Sequence, residues 1–400
     1  MPHAEPPRVG DLDPPPRLLM GSGPSNPDPR VLRAMATPLV GQFDPAFTTI
    51  MDDVMRLLRR TFLTANRHAF PVSGASRAGI EAVLASVVEP GDRVVVANSG
   101  RFGELFCEIA ARYGAEVAPV VAEWGQVVDP DAVLACLRQK PAKLVAVVHA
   151  DTSTGILQPL DDIVRVAHEH DALVAVDAVL TLGGCEVRVD DWGMDAAMAG
   201  LQKSLGGPPG MAPVTYNERV EDAMRRRREP PRTNYLDLIQ LQAYWSPERW
   251  NHHTAPTSMV YALREALRVV AEEGLEARWL RHRRVGSAMA AGLVAMGLAL
   301  FGDRQHKVPM IALVEVPDGV SESGVRDQLR EEHGIEVMAA FGPLRGRVWR
   351  IGTMGYNARL DTVLTLLDAL GRVLRAHGHP VAAGAADVAL ATHAATAAGV

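Results

Sequence analysis

From residue 66 onward, short apolar runs rich in β-branched residues alternate with amphipathic stretches of helical period, and this alternation restricts the fold more than any other feature. "DRVVVANSG", "AKLVAVVHA" and "ALVAVDAVLTLGG" read as buried strands. "SRAGIEAVLASVV", "FGELFCEIAARYG" and "LDDIVRVAHEHD" read as the helices between them. Strands that are apolar throughout need cover on both faces, so the pattern calls for an α/β fold with a mainly parallel sheet in a three-layer domain. "AAMAGLQ" and "MAPVTY" read as a strand pair around a glycine-rich loop. A long helical segment then precedes a different order: strand "MIALVEVPDG", helix "SGVRDQLREEHG", strand "VWRIGTMG", helix "LDTVLTLLDALGRVLRAHG". That order describes a smaller C-terminal α+β domain. The expected division is an extended arm over 1–19, a large domain over 20–275, a small domain over 276–378 and a loosely ordered alanine-rich tail over 379–400.

Composition removes several function classes. The net charge of −6 leaves no basic footprint for nucleic acid, and the run "MRRRREPPR" reads as a solvated helix end. Three cysteines without CxxC spacing fit a reducing, cytoplasmic setting and argue against a disulfide framework or a metal site. The proline-rich N-terminus lacks the apolar core of a signal peptide. Residues 285–302 carry no charge, but alanine and glycine dilute them, so they read as a core-facing helix broken near Gly297 and not as a membrane span.

Against that background one lysine stands out. Lys203 lies within "DAAMAGLQKSLGGPPGMAPVTY", an otherwise apolar, glycine-rich stretch. A lysine on a solvated loop is the ordinary outcome. A buried one has a depressed pKa, and its neutral amine is a nucleophile toward carbonyls. Ligands of parallel sheets bind at the carboxyl ends of the strands, and four further features fall there. Asp177 sits within apolar "ALVAVD", either bonded to backbone amides or facing a protonated heterocyclic nitrogen. Small residues from Ser73 to Ser76 lead into a helix, which makes a plain cap or a phosphate site. "HADTSTG" offers Asp151 and hydroxyls from Thr152 to Thr154, either as a turn or as hydrogen-bonding groups for a cofactor. Arg350 lies in an apolar strand, suited to a structural ion pair or to a substrate carboxylate.

Taken together, these residues resemble the fold-type I pyridoxal 5′-phosphate enzymes, in the class V aminotransferase branch. "HADTSTGILQPL", "VDAVLTLGG", "GLQKSLGGPPGMAPVTY" and "NHHTAPTSMVYALREAL" are similar to the alanine–glyoxylate and serine–glyoxylate group. "FGPLRGRVWRIGTMGYNARLDTVL", "SRAGIEAVL" and "YWSPERWNHHT" resemble the branch that acts on (S)-ureidoglycine with glyoxylate. The resemblance implies pyridoxal 5′-phosphate held by Lys203, with Asp177 at the pyridine nitrogen, Phe102 stacked on the ring and Thr152 at its hydroxyl. It implies phosphate binding by Ser76, Arg77 and Gln202, with Thr254 reaching the cofactor of a neighbouring subunit, hence a homodimer with shared active sites. Arg350 would bind the substrate carboxylate. Gln42 and Asn251 would meet a ureido group, whose C=O and NH₂ match an amide side chain; the alternative is that both cap turns. Ala255-Pro256 resembles the alanine–glyoxylate pattern, which leaves alanine or serine as alternative amino donors. A dead relative that only binds ligands conflicts with the presence of Lys203, Asp177 and Arg350 together. A nicotinamide dehydrogenase conflicts with "GSGPSNP" preceding any strand–helix unit.

Overall fold

The structure is a computed structural model and describes residues 9–398; the first part of the expected N-terminal arm lies outside the described residues. The apolar runs form strands β1 (His68–Ser73), β2 (Arg93–Asn98), β3 (Glu116–Val121), β4 (Leu144–Val148), β5 (Leu173–Asp177), β6 (Ala196–Met198) and β7 (Met211–Tyr216). They make one seven-stranded sheet in the order β1-β7-β6-β5-β4-β2-β3. Neighbouring strands pair in parallel except at β7, which is antiparallel to both β1 and β6. Every residue of β2, β4, β5, β6 and β7 is buried, so both faces are covered. Only the edge strand β3 alternates with exposed positions.

The covering helices are α1 (Pro29–Met35), α2 (Pro45–Phe62), α3 (Ser76–Val87), α4 (Arg101–Arg112), α5 (Pro130–Gln139), α6 (Asp161–Glu169), α7 (Glu218–Arg225), α8 (Leu238–Trp245) and α9 (Thr257–Glu273). Asp28, Asp44 and Asp129 each precede a proline at the first helical position and accept a backbone N–H from the first turn, which fixes the starts of α1, α2 and α5. One expected strand is shorter than its apolar run. β5 stops at Asp177, whose carboxylate accepts the Val179 N–H at 2.8 Å, and the rest of "VLTLGG" leaves the sheet as turns. The aspartate ends the strand, and so its side chain lies at the carboxyl edge.

After Gly274, whose φ of 83° closes α9, a second core forms along α10 (Leu275–Ala295). Val285, Ala288, Met289 and Leu293 of α10 are buried with Trp349, Ile351 and Val363. They pack on strands β8 (Ile311–Glu315), β9 (Met338–Ala339) and β10 (Val348–Gly352), an antiparallel sheet in the order β8-β10-β9. Helices α11 (Glu322–His333) and α12 (Leu360–Ala376) complete this layer. α10 ends before Gly297, as its sequence implies, and among the described residues no helix is long and apolar enough to cross a membrane.

Two features differ from the sequence reading. Residues 18–20 attach to the second core: Leu18 and Leu19 pair with Ile335 and Glu336, and Met20 is fully buried there. The alanine-rich tail is not loose, because Ala385–Ala398 forms helix α13 packed on α10. Alanine has the best helix propensity, and its small side chain, with Gly292 on the α10 side, permits close approach of the two helices.

Gly286 marks a second close approach. A Cβ there would collide with the Pro309 carbonyl oxygen, which is backbone and cannot swing aside. Overpacking costs roughly 1–3 kcal/mol, against a gain of about 1 kcal/mol in helix propensity. Gly286→Ala is therefore expected to lower the denaturant midpoint; a raised midpoint would mean that the contact is not made.

Candidate active site

In a mainly parallel sheet the carboxyl ends of the strands share one edge, and the chain collects its buried charges there. Lys203 lies in the loop between β6 and β7, 9% exposed. The loop is held tight by Gly206 N–H to the Lys203 carbonyl (3.0 Å) and Gly207 N–H to the Leu201 carbonyl (2.9 Å). The segment after Met20 runs alongside: Ser25 N–H donates to the Gln202 carbonyl (3.1 Å), and the Lys203 ammonium donates to the Ser22 carbonyl. Gly23 adopts a φ of 103°, and a Cβ at that position would overlap the lysine amine. Burial pushes the Lys203 amine down to about 8; the Arg350 guanidinium adds to this, while Asp177 and Asp151 oppose it.

Asp177 is 4% exposed, and the only hydrogen bond to its carboxylate among the described residues is the Val179 N–H to Oδ1. Burial, reinforced by Asp151, pushes its carboxyl up to about 7, with the Val179 N–H and Lys203 pulling the other way. Asp151, 1% exposed, is tied down more firmly. Its Oδ1 accepts from Ser153 N–H (2.8 Å) and Ser153 Oγ (2.6 Å), and its Oδ2 from Phe102 N–H (3.0 Å). Gly100 precedes α4 without a side-chain cap, and a Cβ there would lie 2.5 Å from Ser153 Oγ and 2.8 Å from Asp151 Oδ2. The Asp151–Ser153 turn thus caps α4 from outside, which brings Phe102 to the edge and places an anion at a helix N-terminus. Burial still raises the Asp151 carboxyl above its ordinary range, against these hydrogen bonds. Sequence reading offered Asp151 only as a general hydrogen-bonding acid; glycine at position 100 was the available signal for the cap.

Arg350 comes from β10 of the second core. Its Nε donates to the Ala339 carbonyl (2.8 Å) and its Nη1 to the Thr152 carbonyl (3.2 Å), while the guanidinium carbon lies 4.1 Å from the Phe341 ring centroid. No carboxylate among the described residues lies within 4.0 Å of it. Burial pushes it down to about 10. The result is a cation held by carbonyls, with donors left over for a planar anion.

At the start of α3, Ala75 provides no side-chain cap, and Gln202 Nε2 donates to Ser76 Oγ at 2.7 Å. Gln202 Oε1, Thr152 Oγ1 and Thr154 Oγ1 are buried without partners among the described residues. Arg77 projects to solvent. His149, which the sequence reading did not single out, is buried against Thr181 Oγ1 (2.9 Å), and burial pushes it down to about 4, so it is a neutral hydrogen-bonding residue.

Contacts and charge coupling therefore link Lys203, Asp177, Phe102, Thr152, Ser76, Gln202 and Arg350. Gln42, Asn251 and Thr254 stand apart within one chain. Gln42 Nε2 donates to Asn251 Oδ1 (3.1 Å), and Gln42 Oε1 accepts the Ala255 N–H (2.8 Å); Asn251 and Thr254 are exposed.

This is the arrangement of an aminotransferase: a buried amine and carboxylate at a strand edge, and an arginine without an acidic partner. The family model of class-V aminotransferases matches residues 30–345, and the chain belongs to that family. It is 51% identical over 394 residues to the (S)-ureidoglycine–glyoxylate transaminase of Bacillus subtilis (strain 168), covering 94% of this chain and 95% of that protein. The crystal structure of ureidoglycine–glyoxylate aminotransferase from Bacillus subtilis matches with a TM-score of 0.94 at 52% identity, covering 96% of this chain and 100% of the other. The alanine–glyoxylate aminotransferase of Drosophila melanogaster is 34% identical over 362 residues, 88% of this chain and 92% of that one.

The charge balance around Lys203 can be read directly. In protein freed of carbonyl ligands with hydroxylamine, the pH midpoint for acylation of Lys203, followed by peptide mass spectrometry, is expected near 8 and not near the ordinary 10.5. Asp177→Asn removes an anion and moves that midpoint lower, whereas Arg350→Gln removes a cation and moves it higher. A midpoint near 10.5, unmoved by either change, would contradict the burial of this amine.

Proposed function

We propose that the chain transfers the amino group of (S)-ureidoglycine to glyoxylate, giving oxalurate and glycine, with pyridoxal 5′-phosphate as cofactor and two subunits sharing their active sites. The observation that carries the reading is the buried Lys203–Asp177–Arg350 cluster, in a chain 51% identical to the Bacillus subtilis transaminase.

The residues at the strand edge fit the cofactor. Lys203 would bind its aldehyde carbon, and the unbonded Asp177 oxygen would face the pyridine nitrogen. Thr152 Oγ1 and Gln202 Oε1 are buried polar atoms still lacking partners, suited to its polar substituents. The uncapped amides at Ser76 and Arg77 suit its phosphate, Phe102 its ring face, and Thr254 of one subunit the phosphate bound by the other. When bound, the group supplies a ring that withdraws negative charge from the substrate Cα.

The chain's own residues do the rest. Lys203, with a pKa pushed down to about 8, is neutral far more often near pH 7 than a solvated lysine and accepts the proton leaving substrate Cα. Asp177 fixes positive charge opposite it, and Arg350 receives the carboxylate common to donor and acceptor. The low exposure of all three excludes water, which strengthens each of these interactions.

Specificity rests on the amide pair. Gln42 bonds both Ala255 and Asn251, and the Asn251 Nδ2 protons have no partner among the described residues and lie at the surface. They are donors, matched to the carbonyl oxygen of a urea arm supplied to the adjoining subunit. A site built to hydrogen-bond such an arm discriminates against substrates lacking it. Asn251→Tyr is expected to cut kcat/KM for ureidoglycine by about a hundredfold or more, with activity toward alanine falling much less. The test is kcat/KM for ureidoglycine, alanine and serine, each with glyoxylate, in native and variant protein. Native preference for alanine or serine would replace this reading with an alanine– or serine–glyoxylate aminotransferase, the reading that Ala255-Pro256 favours.

A further inference from the structure

At the margin of α10's buried face lies a cavity of about 650 Å³ that takes no part in the Lys203 cluster. Its walls are apolar: Trp279, Met289 and Val294 from α10, Leu300 from the following turn, and Ile311 from β8. The volume is within the roughly 300–1,000 Å³ of ordinary small-molecule sites. Val294 is 53% exposed at this cavity, a large apolar side chain left in water on the surface of the protein.

Its charged lining is mostly basic. Arg283, Arg304 and Lys307 all line the cavity, and among the described residues none has a carboxylate within 4.0 Å. Glu186, the acid in the lining, is paired with Arg188, and nearby Asp303 is bonded to His306 at 2.5 Å. The Lys307 ammonium donates to the Phe301 carbonyl and lies below the ordinary lysine range, chiefly through burial; Asp303 and, more weakly, Glu315 oppose the shift, and Arg304 adds to it. Arg283, Arg304 and Lys307 thus present positive charge with no carboxylate in contact around one apolar hollow, which suits an anionic head group.

We infer that this cavity is a binding site for a small amphiphilic anion, a carboxylate carrying a hydrocarbon body. The hydrocarbon fills the hollow under Val294 and Ile311, and the carboxylate meets Arg283, Arg304 and Lys307. The site is distinct from the Lys203 centre but not remote from it in the fold. Val308 N–H donates to the Gly155 carbonyl (3.0 Å), at the end of the turn that carries Thr152, and Leu313, two residues beyond Ile311, pairs with Arg350.

The test uses the full chain in its cofactor-loaded form, titrated calorimetrically with decanoate and, separately, with 1-decanol. Decanoate is expected to bind saturably at one site per chain, and 1-decanol at least about ten-fold more weakly, since it has no charge for the cations. Arg283→Glu with Arg304→Glu changes two exposed side chains and should weaken decanoate by about ten-fold or more. Ala290→Phe fills the hollow and should abolish the binding. Absence of saturable decanoate binding overturns the inference. So does equal affinity for 1-decanol, or binding that survives the charge reversal, because each places the ligand elsewhere or leaves the cations unused.

Discussion

Four ionisable side chains buried at one sheet edge set the terms for everything around them. Lys203 and Arg350 are basic, Asp177 and Asp151 acidic, and each is under a tenth exposed. Each ion taken out of water alone would cost several kcal/mol. The charges offset one another: Lys203 is held up by both aspartates and pressed down by Arg350, and Arg350 is held up by Asp151. Burial wins at each, so the amine falls to about 8 and the Asp177 carboxyl rises to about 7. The amine is thereby left close to the pH at which it can exchange a proton in either direction.

The fold supplies these charges from elements far apart in sequence. Asp177 ends a central strand, and Lys203 closes the loop that joins the antiparallel strand β7 to its neighbour. Asp151 is fixed as the external cap of α4. Arg350 arrives from the second core, through a strand that also accepts the chain at Met20, since Gly352 N–H donates to the Met20 carbonyl at 2.8 Å. The segment from Met20 to Ser25 therefore bridges both cores and passes the lysine amine, which explains why Gly23 can carry no side chain.

Much of this was legible in the sequence because it breaks local expectation. A lysine in a glycine-rich apolar run and an aspartate inside "ALVAVD" are conspicuous, since burying either charge needs a reason. The mainly parallel sheet followed from strands without polar alternation. What the sequence did not carry was partnership at long range. The cap from Asp151 to α4 depends on Gly100, some fifty positions earlier, and that glycine alone does not say which residue caps the helix. The pairing of Leu18 and Leu19 with Ile335 and Glu336 joins opposite ends of the chain. The tail read as loose because alanine alone has no amphipathic period, yet α13 is ordered by its fit to α10. Gln42 and Asn251 were expected as separate contacts to one group, and the structure joins them into a single unit that keeps the Asn251 Nδ2 donors to spare.

The central claim is that Lys203 is the nucleophilic amine of the active centre. It is tested most directly by reducing the cofactor-loaded protein with borohydride, digesting it and locating the pyridoxyl mass by mass spectrometry. The account expects that mass on the peptide containing Lys203, with loss of visible absorbance on reduction. A pyridoxyl group found on any other lysine, or none at all on a protein that nevertheless transaminates, would contradict it.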